Sequence, residues 1–292
     1  MIRRPAILFC LFVLAVSAIH ASTLRALVDY AWHNRTASHT VAIPFVALAL
    51  VYGRRDSIFV SVGRAPAVGA AIIAAGLLLS FVRWRAIQGQ GLALSASVAA
   101  IVLLWIGGFV FTFGARAARA ALFPLLFLFF TVPMPDVLVG EATRFLKAGS
   151  SQTVATLFRL TGTPFHQQGF VFSLPSVVIE IADECSGIRS SIALGLTTLL
   201  AGYQFLERPW SRIALVLAVI PVALIKNAIR IVTLSLLAMN VDPSFLTGEL
   251  HHEGGIVFFL LALGLLVPFF AILRWSETRV AVIGKAQARV ES

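Results

Sequence analysis

GLALSASVAAIVLLWIGGFVFTFG, residues 91–114, is a run of 24 residues without a single charged side chain. As an α-helix this run is about 36 Å long, which exceeds the roughly 30 Å of hydrocarbon in a bilayer. A continuous apolar run of this length, in place of the apolar stripe of a soluble helix, predicts a transmembrane helix. The stretch therefore places the chain in a membrane.

Similar apolar runs occur along the rest of the chain, and hydrophobic residues make up 59% of its 292 residues. So apolar a composition exceeds what one soluble core can bury. We expect an all-α, polytopic transmembrane bundle of about eight helices, forming one integral membrane domain over residues 1–292. The first helix is expected to be retained, although its end also fits a cleaved signal peptide. The predicted helices lie near residues 5–21, 40–53, 66–82, 91–114, 117–134, 185–204, 211–238 and 254–274.

The formal net charge of +10 comes mainly from arginines placed singly or in pairs between the apolar runs. This distribution is typical of membrane topology signals, and without an aromatic-interleaved basic patch it does not favour nucleic-acid binding. With the N-terminus in the cytoplasm, most cations between the helices fall on the inner side, as the positive-inside rule requires. Acidic residues show the opposite bias.

The outer segment from Asp136 to Glu184 interrupts the series of apolar runs. Val137 to Leu160 alternates apolar and polar residues at helical spacing, which is typical of a helix lying at the membrane surface. Two short runs around 170–172 and 177–179 predict a hairpin. We expect residues of about 136–184 to form a small extracytoplasmic cap beside a catalytic core at about 183–275.

Cys185 stands within the sequence DECSGIRSS, at the predicted outer end of the sixth helix. Free backbone N–H groups and the positive end of the helix dipole favour a thiolate there. Arg189 adds to this effect, whereas Asp183 and Glu184 oppose it. A lone cysteine in an apolar protein is often a packing residue, and we interpret Cys10 in this way. The polar surroundings of Cys185 instead favour a reactive thiol.

Arg230 lies in an apolar run that would otherwise cross the membrane without charge. Its insertion costs at least roughly 2.5–3.5 kcal/mol, which favours a functional role. Snorkelling to the outer interface or a structural ion pair would also explain it. Asn227, one turn earlier, is expected to orient the guanidinium. We place Lys226 on a different face of this helix, which Pro221 is expected to kink.

His251 and His252 begin the last predicted helix, again at the outer boundary. No HExxH pattern or third ligand cluster accompanies them, so we expect neither a metal site nor a cofactor. A thiol, a guanidinium and an imidazole thus reach the same outer layer of the membrane. A Cys–His pair makes a nucleophile at neutral pH, and a fixed arginine stabilises the oxyanion at an attacked carbonyl. The expected reaction is acyl transfer through a thioester.

The three motifs resemble those of the exosortase/archaeosortase family of membrane-embedded cysteine transpeptidases. That family combines a Cys in a CSGxRS-type motif, an Arg in an NxxR motif and a His before a small-residue helix start. The resemblance implies that Cys185 is the nucleophile, Arg230 the oxyanion stabiliser and His251 the proton shuttle. We prefer His251 to His252 because of its spacing to the two following glycines. The supporting residues are Asn227, Arg189 and His252.

The resemblance also implies a cellular location and a class of substrate. The enzyme would lie in the bacterial inner membrane with its active site facing the periplasm. Its substrates would be proteins with a C-terminal sorting signal of PEP-CTERM type: a short Pro-Glu-Pro-like motif, a transmembrane helix and a basic tail. After cleavage near the motif, the protein would pass to a lipid or exopolysaccharide acceptor.

Two other functions remain open at this point. A non-catalytic transporter or channel component would use an intramembrane polar pathway through Arg189, Arg230 and Asp183, and it would need no thiol. A purely hydrolytic intramembrane protease would use the same catalytic residues but release its product into water.

Overall fold

The structure is a computed structural model that describes residues 3–34, 36–60, 62–63, 65–81, 90–246 and 255–290. Inside these ranges, the side chains of residues 3, 90, 184, 185, 246, 255 and 280–290 lie outside the description. The chain divides into two compact units, Met1–Val139 and Gly140–Ser292, and each is described by itself.

In the first unit, the other helices pack around the helix that contains residues 91–114. Helices α1, α2 and α5 pack against α6, and Phe9 of α1 sits edge-on to Phe109 and Phe113 of α6, with ring centroids 5.7 and 5.5 Å apart. These contacts bury the inner face of α6. The helices are α1 (Arg3–Ile19), α2 (Ala21–His33), α3 (Ile43–Gly53), α4 (Arg55–Ile58), α5 (Pro66–Phe81), α6 (Gln90–Ala120) and α7 (Leu122–Phe127), followed by a 3-10 turn at Leu128–Thr131.

Helix α6 bends at Gly114, which has φ +84° and ψ 171°. The chain before α5 docks at this bend, where the N–H of Gly63 donates to the carbonyl of Phe113 at 3.1 Å. A Cβ on Gly114 would lie 2.6 Å from the carbonyl carbon of Gly63. Glycine is needed here because it alone enters this backbone region readily and permits so close an approach.

The second unit contains helices and one small sheet. The sheet is antiparallel, with strand order β1-β2-β3. The helix predicted from Val137 to Leu160 is confirmed, and it begins one residue earlier, at Asp136. The predicted hairpin is confirmed as strands β2 and β3. The elements are α8 (Asp136–Leu160), β1 (His166–Gln168), β2 (Val171–Ser173), β3 (Val178–Glu180), α9 (Ile188–Phe205), α10 (Pro209–Leu217), α11 (Val219–Asn240) and α12 (Gly255–Val290), with 3-10 turns at Asp183–Ser186 and Pro243–Leu246.

The sheet rests on α8 and α11 through an apolar core. Phe172 and Ile179 are cross-strand partners, so they point to the same face of the sheet. On that face they join Phe158 of α8, and Ala228 and Val232 of α11, in one buried cluster. The sheet therefore packs directly on the part of α11 that carries the NxxR motif.

Helix α12 is tied to the junction of α9 and α10 by one carboxylate. Glu277 accepts hydrogen bonds from the backbone N–H groups of Glu207 and Arg208, both at 2.9 Å. These N–H groups stand at the N-terminus of α10, where an anion is favoured by the free donors and the helix dipole. The carboxylate thereby fixes the C-terminal helix to the rest of the unit.

Within the described residues, three helices are long and apolar enough to cross a membrane: Gly91–Ala120, Pro209–Asn240 and Ile256–Arg279. The number rises to five if each of two bent helix pairs counts as one span, and α3 and α5 are shorter apolar helices. The expected all-α polytopic membrane fold is confirmed.

Several predicted helices differ in detail from the observed ones. The helix predicted at 117–134 is divided among the end of α6, α7 and the 3-10 turn at Leu128–Thr131. Helices α10 and α11 form one span with a break at Ala218. The break lies three residues before Pro221, which has no N–H to donate to the carbonyl of Leu217. Helix α9 covers most of the sixth predicted span, but it is not among the apolar spans, because polar side chains such as Arg189 and Gln204 lower its hydropathy.

Replacing Gly114 by alanine is expected to destabilise the first unit. The Cβ would meet the Gly63 carbonyl, and a non-glycine residue in this backbone region costs about 1–3 kcal/mol. The melting temperature of the purified protein in detergent measures the effect. Gly264→Ala is the matched control, since no heavy atom lies within 4 Å of its new methyl group. Equal melting temperatures for the two variants would contradict the role given to Gly114.

Candidate active site

The cysteine motif lies at the junction between the sheet and α9. Strand β3 continues through the buried Ile181 into the 3-10 turn Asp183–Ser186, and α9 begins at Ile188. Gly187 joins the turn to the helix in the left-handed conformation, with φ +77° and ψ 11°. Cys185 therefore belongs to the 3-10 turn, and the expectation that it opens the helix is wrong, because Gly187 interrupts the helical backbone.

The NxxR motif lies directly against this turn. A Cβ on Gly187 would lie 3.0 Å from Asn227 Oδ1 and 3.4 Å from Lys226 Nζ. Asn227 is only 1% exposed, and its Nδ2 donates to Ser150 Oγ of α8 at 3.0 Å. One amide side chain thus contacts the turn and α8 from its place on α11. The structure brings the first two predicted motifs together.

Arg230 follows one helical turn after Asn227 and is partly buried. Its neighbours Ala228 and Val232 belong to the core under the sheet. Because α11 is held on one side by this core and on the other by the Gly187 turn, the backbone that carries Arg230 is fixed by packing.

The structure corrects the placement of Lys226. It lies four residues before Arg230 and therefore on the same face of α11, where the two cations repel one another. Lys226 is 3% exposed, and its Nζ donates to Ser190 Oγ of α9 at 2.5 Å. The spacing of four residues to Arg230 was the sequence signal for this arrangement.

A second cation contacts the turn from α8. Lys147 Nζ lies 3.0 Å from Asp183 Oδ1 and 4.7 Å from the centre of the Phe170 ring. Asp183 was expected to oppose a thiolate at Cys185, and this ion pair offsets part of its charge. Lys147 was missed by the sequence analysis because 36 residues separate the two partners.

Neighbouring serines of α8 connect the sheet to the NxxR motif. Ser150 accepts the hydrogen bond from Asn227, while Ser151 Oγ accepts one from Gln167 Nε2 of β1 at 3.0 Å. Both serines are buried, so these hydrogen bonds satisfy polar groups that would otherwise be costly to bury. Helix α8 thus aligns the sheet and α11 with each other.

The remaining predicted site residues stand as follows. The side chain of Cys185 and both His251 and His252 lie outside the described residues, so their approach to Arg230 stays a prediction. Arg189 is exposed at the second position of α9. Cys10 is exposed on α1, which corrects its interpretation as a residue packed inside the protein.

Comparison with known protein families gives a match. A sequence model described as transmembrane exosortase matches residues 31–268 of the chain. The matched range includes all three motifs and most of the chain. No curated protein and no solved structure shows significant similarity to it.

Replacing Gly187 by alanine is expected to loosen the turn from α11. The new methyl group would press on the Asn227 amide, and the left-handed conformation alone costs about 1–2 kcal/mol in a residue with a Cβ. Thermal unfolding in detergent would show a lower midpoint. Gly195→Ala, within the following helix α9 and with no heavy atom within 4 Å of the new methyl group, serves as the control and should not lower it. A Gly187→Ala protein as stable as the control would disprove the close packing.

Proposed function

This chain belongs to the transmembrane exosortase family, and from that membership we propose that it is a cysteine transpeptidase that cleaves C-terminal sorting signals. At the family level it is a multi-pass membrane protein of the sorting transpeptidases. The finer proposal concerns its residues, its substrate and its side of the membrane. In it, Cys185, Arg230 and His251 act on the periplasmic side of a bacterial inner membrane.

One observation supports the assignment of residues above all others: the Cys185 turn packs on the NxxR motif, with the Cβ position of Gly187 3.0 Å from Asn227 Oδ1. Cys185 is two residues from Gly187, and Arg230 is one helical turn from Asn227. A nucleophile and an oxyanion stabiliser need this proximity, since both must act on one carbonyl group.

In the first half of the proposed reaction, the thiolate of Cys185 attacks the scissile carbonyl carbon. A C–S bond forms, and the carbonyl π electrons move to the oxygen, where Arg230 stabilises the negative charge. The tetrahedral intermediate then expels the amine of the C-terminal fragment. His251 donates a proton to this leaving amine, and the product is a thioester of Cys185.

In the second half, an acceptor nucleophile attacks the thioester. His251 takes its proton, a new acyl bond forms, and the C–S bond breaks to restore the thiolate. We propose that the acceptor is a lipid or a surface polysaccharide. The substrate is recognised by a short Pro-Glu-Pro-like motif followed by a transmembrane helix and a basic tail, and its helix lies among the apolar helices of the enzyme.

The proposed orientation rests on charge. The positive-inside rule puts the arginine-rich ends of the helices in the cytoplasm, and this leaves the cysteine turn and the two histidines on the outer side. A basic substrate tail would then remain on the cytoplasmic side by the same rule.

Cys185→Ser is expected to abolish processing of a tagged substrate protein in cells, because a hydroxyl without thiolate character is a far weaker nucleophile in this site. Cys10→Ser is the matched control and should leave processing intact, as Cys10 is exposed on α1. Substrate processing is followed by the loss of a C-terminal tag. Full processing by Cys185→Ser would exclude Cys185 as the nucleophile.

Mass spectrometry of the mature substrate in the same experiment distinguishes transfer from hydrolysis. We expect an added lipid or glycan mass at the new C-terminus. A free carboxylate at that terminus would instead establish a hydrolytic protease.

The two histidines are expected to differ sharply. His251→Ala should reduce processing by about 10²–10⁴-fold, the range of a lost general acid and base, while His252→Ala should retain most of it. The first-order rate of tag removal after substrate induction measures both. If His252→Ala lost more processing activity than His251→Ala, His252 and not His251 would be the proton shuttle.

A further inference from the structure

The buried ammonium of Lys226 has no role in the reaction as proposed so far. Lys226 is 3% exposed, although it lies in a helix that crosses the membrane. Among the side chains that the structure describes, its Nζ has one hydrogen-bond partner, Ser190 Oγ, and no carboxylate within 4.0 Å. An ammonium is expensive to bury, and such groups in membrane helices are usually retained for function.

The hydrogen bonds of Ser190 connect this ammonium to the cysteine turn. Ser190 Oγ accepts from Lys226 Nζ and donates to the carbonyl of Gly187 at 2.9 Å. Lys226 Nζ also lies 3.4 Å from the Cβ position of Gly187. The positive charge of Lys226 therefore lies next to Gly187, the residue that joins the turn to α9.

The charged groups around Lys226 do not neutralise it in the described structure. Arg230 lies on the same face of α11 and repels it, and Arg189 lies beside Ser190 on α9. Asp183 on the turn is engaged by Lys147 of α8. Glu184 is the other acidic residue of the turn, and its side chain is outside the described residues. The N-terminal end of α9 adds further positive potential.

The backbone of Cys185 lies in the turn beside this charge. Two peptide units separate it from Gly187, so their Cα atoms are at most about 7.6 Å apart. A fixed cation near a thiol favours the charged form of the thiol over the neutral one. We propose, on the basis of the function proposed above, that Lys226 is a positioning residue that stabilises the thiolate of Cys185 from beneath the Gly187 turn.

A purely structural role would need only the hydrogen bond to Ser190. A neutral donor such as glutamine, which is one bond shorter, could serve that role and would avoid burying a charge. The proposal therefore requires the charge itself, and the two roles are separated by comparing Lys226→Gln, which removes the charge, with Lys226→Arg, which keeps it.

The test measures alkylation of the two cysteines by iodoacetamide as a function of pH, in the full-length protein in detergent, with mass spectrometry of both cysteine peptides. In Lys226→Gln we expect the profile of Cys185 to move to higher pH by about one unit, since removal of a nearby cation raises the pKa of a thiol. Lys226→Arg should keep the wild-type profile. Cys10, exposed on α1, is the internal control, and Lys285→Gln is the matched control for the loss of a lysine.

Ser190→Ala is the second variant, because it removes the hydrogen bond and keeps the charge. We expect it to lower the melting temperature with little change in the Cys185 profile. An unchanged profile in Lys226→Gln would overturn the proposal, and so would a profile that moves equally in Ser190→Ala. These outcomes are independent of the proposed function, which fails instead if Cys185→Ser still processes substrate.

Discussion

The close packing of the Gly187 turn on α11 is the constraint on which the candidate active site depends. The turn approaches so closely that the Cβ position of Gly187 is 3.0 Å from the Asn227 amide, and the left-handed backbone at Gly187 turns the chain into α9 at that point. Without this contact, the cysteine motif and the NxxR motif would be two separate polar patches. With it, residues 42 positions apart in the chain, Cys185 and Asn227, lie on adjoining backbones.

The small sheet and α8 give this packing its rigidity. The sheet buries Phe172 against Phe158, and the same core reaches Ala228 of α11. Ser150 Oγ of α8 also accepts a hydrogen bond from the side-chain amide of Asn227 in the NxxR motif. A catalytic group carried on a turn is usually mobile, and a site needs placement within fractions of an ångström to be effective. Here the turn follows Ile181 of the buried core, and Gly187 at its end packs on Asn227, so its backbone is held at both ends.

The sequence predicted those features whose signal is local. Continuous apolar runs predicted the membrane helices, and helical spacing with a following hairpin pattern predicted α8 and the pair β2–β3. Strand β1 was missed because its three residues, His166–Gln168, are polar and exposed, so no alternation marks them. The start of α9 was placed three residues too early because hydrophobic spacing carries no information about the φ angle of a single glycine.

The contacts inside the site were beyond sequence reasoning for a different reason. Ser150 and Asn227 are 77 residues apart, and nothing in either local pattern selects the other as its partner. Residues such as Ser150, Lys147 and Ser190 are common on helix surfaces and acquire a role only through the fold. Lys226 is different: its spacing of four residues to Arg230 did indicate a shared helix face, but the sequence interpretation placed it on another face.

Two cations one turn apart in a single membrane span are costly, by roughly 5–7 kcal/mol when the values for single insertions are added. That energy opposes insertion of α11, and a packing role for either side chain would be met more cheaply by an uncharged residue. The cost is accounted for if negative charge appears in the site during the reaction. A thiolate first, and then a carbonyl oxyanion, would each develop beside charges that are already oriented, in surroundings where little water screens them. This positive charge supports the proposed acyl transfer through a thiolate.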